Sequence, residues 1–127
     1  AAAALATLEV IEREGVMAQA TETGDYIMDA LVEMQGRHPS LGDVRGRGLM
    51  VGMEFVKDRD TKEAGIALRD HVIQAAFENG LLLIPCGTNS LRITPPLTID
   101  RALVEEGLVI FERALTEAEA THLKNGA

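Results

Sequence analysis

The chain has 127 residues, with twelve Lys and Arg against twenty Asp and Glu, a net charge of -8, and 46% apolar residues. That size fits one compact domain spanning 1–127 with its own core and leaves little room for a second, while the acidic balance without any basic cluster argues against nucleic acid as a partner. No uninterrupted apolar run is long enough to span a bilayer, and the lone Cys86 excludes a disulfide framework, a pattern that fits a reducing, cytoplasmic setting with no membrane partner.

The Ala-rich opening, without an initial Met, has helical composition and reads as a piece of something longer. Leu5, Leu8 and Ile11 recur on one face up to Glu14, and Gly15 interrupts the helix. A second helix follows, with Met17, Ala20, Gly24, Ile27, Leu31 and Met34 as its apolar stripe and Gly36 placed as a C-terminal cap. Gly24 lies on that stripe, and an interior glycine costs about 1 kcal/mol relative to alanine, so its place there predicts close approach of another element.

Asp43 to Val56 reads as one extended strand bent by Gly46, Gly48 and Gly52. Lys57 to Thr61 is turn-like, and Ala64, Leu68, Val72 and Ala75 carry a third helix to Asn79 and Gly80. Leu81–Pro85 and Ser90–Thr94 form an antiparallel hairpin across Cys86–Asn89, which Pro95 terminates. Asp100 caps a last helix with Val104, Leu108, Phe111 and Leu115 buried, and the tail 119–127 is expected to fray. The order ααβαββα predicts an α+β fold, a small three-stranded, mainly antiparallel sheet with helices on one face and the other face bare.

Within the hairpin, Leu91 and Ile93 alternate with Arg92 and Thr94. Arg92 is thereby fixed on a stiff element, and its planar donor fork suits bidentate capture of a carboxylate. An amphipathic strand with one wet face explains the same pattern. Arg45-Gly46-Arg47-Gly48 lacks both the third glycine of a dinucleotide fingerprint and the Lys-Ser/Thr of a phosphate loop. His38, His71 and His122 are scattered and read as solvent-facing, Cys86 reads as an inert, partly buried thiol, and the acidic helix positions read as solvated faces. No catalytic group and no metal cluster emerges, so the chain by itself is expected to catalyse nothing.

The ordered set Gly42–Gly52, Gly80–Leu83 and Leu91–Leu97 resembles the C-terminal small domain of class III, pyridoxal-phosphate-dependent aminotransferases, and within them the 4-aminobutyrate aminotransferases. The resemblance implies a substrate-closing domain whose partner is a large domain of the same enzyme, the part that holds pyridoxal 5'-phosphate; it implies a homodimer and amino-acid and oxo-acid substrates. It gives no cofactor role to Lys57, Lys62 or Lys124, and it makes Arg92 the substrate-binding arginine that takes the α-carboxylate of an amino or oxo acid, or pairs with an active-site glutamate when another substrate is present. The implied reaction moves an amino group from an ω-amino acid to 2-oxoglutarate. A free-standing module that uses Arg92 to bind an acidic ligand is the alternative from another class.

Overall fold

A computed structural model describes residues 1–123. Helices α1 (Ala2–Arg13) and α2 (Val16–Arg37) lead into strands β1 (Leu41–Arg47), β2 (Met50–Asp58) and β3 (Glu63–Ala64), then α3 (Ile66–Glu78), β4 (Ile84–Cys86), β5 (Ser90–Ile93) and α4 (Arg101–His122). The sheet is antiparallel throughout, in the order β1-β2-β5-β4, with β3 beside the end of β2. The α+β class holds, and the strand count rises from three to five.

One extra strand comes from the stretch taken as one bent strand, and the other is the two-residue β3. Gly48, at φ 54, turns the chain back so that Leu41–Arg47 pairs with Met50–Phe55 as a hairpin. Positive φ is cheap only for glycine, and a two-residue connection between antiparallel strands needs it. Gly46 is needed for a different reason, since a Cβ there would lie 2.5 Å from the Met50 carbonyl oxygen.

Helix α2 buries Val16, Ala20, Gly24, Ile27, Leu31 and Met34 against the sheet. Val16 takes the place expected for Met17, which is 65% exposed, because the stripe continues four residues upstream of Ala20 and not three. Gly36 does not end the helix. Pro39 does, by pushing His38 into an extended conformation at φ -115 and ψ 103. The Arg59 guanidinium then donates to the carbonyls of Gln35 and His38 at the end of α2 and of Leu41 at the start of β1.

The close approach expected at Gly24 is present. A Cβ on Gly24 would lie 2.2 Å from the Gly48 carbonyl oxygen and 2.6 Å from its Cα, so α2 rests directly on the hairpin turn. Gly24→Ala is therefore expected to destabilise the chain by about 2 kcal/mol, the cost of backbone overlap outweighing alanine's helix preference. Urea unfolding checks it, and a variant as stable as the parent would show that the turn can move aside.

The core joins α2, α3, α4 and the inner sheet face through Leu31, Leu41, Val51, Met53, Phe55, Leu68, Val72, Leu91, Phe111 and Leu115. The expected stripe of α4 is buried in full, with Ala114 and Ala118 extending it, and the Asp100 side chain accepts from the Ala102 N–H. Helix α1 buries none of its residues, and Leu5 and Leu8 remain 62% and 59% exposed.

Candidate carboxylate site

Pairing across the sheet decides which side chains share its outer face. Arg45 stands opposite Gly52, Gly52 opposite Arg92, and Arg92 opposite Ile84, so the four lie in one transverse row. Asp43, Glu54, Ser90 and Cys86 form the next row in the same way. Leu91, on the other side of β5, is fully buried against Met53, whereas Arg92 is exposed, as the alternation in the sequence predicted.

Arg92 has no carboxylate within ion-pair distance among the described residues, as is true of Arg47, Arg59 and Arg113, whereas the other arginines are paired. Arg37 holds Glu33 and Glu112, Arg45 holds Asp43, Arg69 holds Asp70 and Arg101 holds Glu105. Its flank is also empty, since a Cβ on Gly52 would meet only the Arg45 and Leu91 carbonyl oxygens, at 3.9 and 4.0 Å. A guanidinium on a rigid strand, beside a notch and without an internal partner, has a donor fork of the geometry that can take a carboxylate.

The remaining candidates resolve differently. His38 is not solvent-facing but buried at 8% exposure, with Nδ1 2.8 Å from Glu119 Oε2 and Nε2 3.4 Å from Glu112 Oε1. Ser40, fully buried, donates its N–H to Glu119 Oε1 at 3.0 Å and its hydroxyl to the same oxygen at 2.6 Å. A Ser, a His and a Glu meet here, but the hydroxyl is bonded to the carboxylate and not to the imidazole, so no base is placed to activate it. The group ties the turn after α2 to the end of α4.

Of the tail expected to fray, Glu119 to His122 are helical, and 124–127 lie outside the described residues. His71 and His122 are half-buried against each other rather than free in solvent. Cys86 is half-buried, as expected.

Hydrogen bonding to Arg37 holds the Glu112 carboxyl below the usual carboxylate range, against the opposing effect of desolvation. A depressed folded-state pKa contributes stability above the unfolded value, about 4.3 for Glu, and loses it as pH falls toward the folded value. Arg37→Gln is expected to flatten the fall in stability below about pH 5, checked by urea midpoints measured across that range.

A pyridoxal phosphate cradle does not fit the described residues. Lys57 Nζ is engaged by Glu63 Oε1 at 2.6 Å on the surface, and the apolar hollow of about 160 Å³ between α4 and the β4–β5 hairpin is lined by residues such as Leu83, Ile93, Pro95 and Phe111, without a titratable side chain. Lys124 lies outside the described residues.

The family model for class III aminotransferases matches residues 1–115. The chain belongs to the class III aminotransferase family. It is 43% identical over 117 residues to a leucine/methionine racemase of Thermococcus litoralis, covering 92% of this chain and 26% of that protein. It is 37% identical over 119 residues to the 4-aminobutyrate aminotransferase of Escherichia coli, covering 92% and 28%. Among solved structures, a Bacillus anthracis aminotransferase superposes with a TM-score of 0.84 at 33% identity, over 90% of this chain and 27% of that one. An amine transaminase from an uncultivated Pseudomonas species, solved in its PLP-bound form, gives 0.84 at 29% identity, over 92% and 27%. The chain thus spans about a quarter of the length of the class III proteins it matches.

Proposed function

We propose that this chain is the C-terminal, substrate-closing domain of a class III aminotransferase, and that Arg92 binds the carboxylate of its amino-acid and oxo-acid substrates. The observation that carries the reading is an exposed guanidinium without a carboxylate partner among the described residues, fixed on β5 beside the notch at Gly52. The large domain of the same enzyme covers this face and holds pyridoxal phosphate, which supplies the electron sink. The contribution of this chain is positional. A two-pronged charge-assisted bond fixes the carboxylate and with it the distance of the amine or ketone from the reacting centre.

The reaction is transfer of an amino group from an ω-amino acid such as 4-aminobutyrate to 2-oxoglutarate, in a homodimer. Identities of 37% to the Escherichia coli 4-aminobutyrate aminotransferase and 41% to a 5-aminovalerate aminotransferase of Pseudomonas putida support it. A second reading, racemisation or epimerisation of an α-amino acid, draws on identities of 42–43% to two racemases and an epimerase. Both readings place a carboxylate on Arg92.

One assay on the complete enzyme separates them. Transamination is expected to consume 4-aminobutyrate only when 2-oxoglutarate is present and to yield glutamate in equal amount. Conversion of an L-amino acid to its D-form or epimer without any oxo acid would replace the first reading with the second.

A further inference from the structure

Where the middle of α3 passes the end of α4, two imidazoles face each other. His71 Nδ1 lies 3.2 Å from His122 Nε2, with the rings nearly perpendicular at 84° and their centroids 5.3 Å apart. The other His71 nitrogen, Nε2, lies 3.1 Å from Glu117 Oε1. A carboxylate only accepts, so in neutral His71 the ring proton sits on Nε2 and Nδ1 turns a lone pair toward His122. We propose that His71 Nδ1 and His122 Nε2 form a two-imidazole site for a divalent transition metal such as Zn²⁺, with Glu117 as the carboxylate that orients the first ligand.

Three features favour this over a hydrogen bond that serves packing alone. Two Zn–N bonds of about 2.05 Å at a tetrahedral angle separate their nitrogens by roughly 3.3 Å, close to the spacing already present. Metal binding then needs each ring to pivot off the line joining the two nitrogens, while the proton that His122 Nε2 shares with His71 moves through solvent to His122 Nδ1. No net proton is lost. Second, a carboxylate on the far nitrogen of a ligating imidazole is the arrangement that fixes tautomer and ring orientation in metal sites. Third, the local field suits a cation, because His122 is the last residue of α4, where the helix dipole is negative, and Glu117 adds a charge.

Among the described residues no group of three or more His, Cys, Asp or Glu converges on a metal position, so water completes the coordination. His71 is 25% exposed, which leaves the outer side of the pair open for it. Imidazole pairs of this kind suit Zn²⁺, Ni²⁺ and Cu²⁺, and not Mg²⁺ or Ca²⁺, which take oxygen ligands. A bound ion would bridge the middle of α3 to the last turn of α4 and so favour the folded chain. None of this depends on the aminotransferase reading.

The test is ZnCl₂ titration of this chain by calorimetry in a Cys86→Ser background, which removes the thiol as a competitor. One Zn²⁺ per chain is expected, with affinity lowered at least about tenfold by His122→Ala and about tenfold by Glu117→Gln, as for loss of a ligand and of its orienting carboxylate. Zn²⁺ should raise the melting temperature of the background protein and not that of His122→Ala, whose substitution on the final turn spares the core. Should His71→Ala fold poorly, ring ¹⁵N shifts decide the ligands in the background protein, with His71 Nδ1 and His122 Nε2 moving to metal-bound values and His38 unchanged. Absence of binding, equal affinity after His122→Ala, or shifts confined to other groups overturns the proposal.

Discussion

Arg92→Ala in the complete enzyme is expected to lower kcat/KM for 2-oxoglutarate by about thirtyfold or more. Truncating one partner of a desolvated, hydrogen-bonded charge pair costs about 2–5 kcal/mol, and 1.4 kcal/mol is about a factor of ten. The loss falls on kcat/KM because misplacing the carboxylate misplaces the reacting carbon in the transition state as well as in the bound complex. Arg92→Lys keeps the charge but presents a single ammonium in place of a planar fork, and is expected to recover only part of the activity. The fold gives the control. Arg92 is exposed and its row neighbours are Gly52 and Ile84, so both variants of this chain are expected to unfold within about 0.5 kcal/mol of the parent. Steady-state kinetics with 2-oxoglutarate and with a monoamine lacking a carboxylate check the assignment, because only the first substrate should suffer. Unchanged kinetics with 2-oxoglutarate would remove Arg92 from the site.

The orientation of Arg92 was legible because strand alternation is local: once Leu91 is inside, Arg92 is outside. The stripes of α2 and α4 and the contact at Gly24 were legible for the same reason, as each follows from spacing along one element. The hairpin at Gly48 was missed because Arg45-Gly46-Arg47-Gly48 offers several glycines, and sequence does not say which is the turn and which a site of close approach. The folded backbone separates them, since Gly48 takes φ 54 while Gly46 lies against Met50 and Val51. His38 was read as solvent-facing, since its partner, Glu119, lies some eighty positions along the chain. Nothing local marks Glu119 among the many acidic residues of α4. The exposed leucines of α1 show the opposite case: an amphipathic pattern was readable, and no described residue of this chain covers it.

That distant partnership makes the second large prediction. Glu119→Ala is expected to destabilise the chain by about 3 kcal/mol, lowering its melting temperature by roughly 10 °C for a domain of this size. Glu119 accepts from the Ser40 N–H, the Ser40 hydroxyl and His38 Nδ1, and its own side chain is 14% exposed. Removing it strands a backbone N–H and a hydroxyl in a place where Ser40 has no access to water, and each unsatisfied buried group costs about 1–3 kcal/mol. Ser40→Ala removes one of those bonds together with its donor and is expected to cost less, about 1 kcal/mol. The two changes should not add: with Glu119 already gone, removing the stranded hydroxyl is expected to be neutral or to restore some stability, which a double-mutant cycle reads directly. Glu119→Gln separates charge from geometry, because its amide oxygen can still accept both Ser40 bonds while its amide nitrogen faces the His38 ring, and it is expected to fall between Ala and the parent. A Glu119→Ala chain that melts within a degree or two of the parent would mean that the last turns of α4 behave as the composition first suggested, a loose end that the fold does not need.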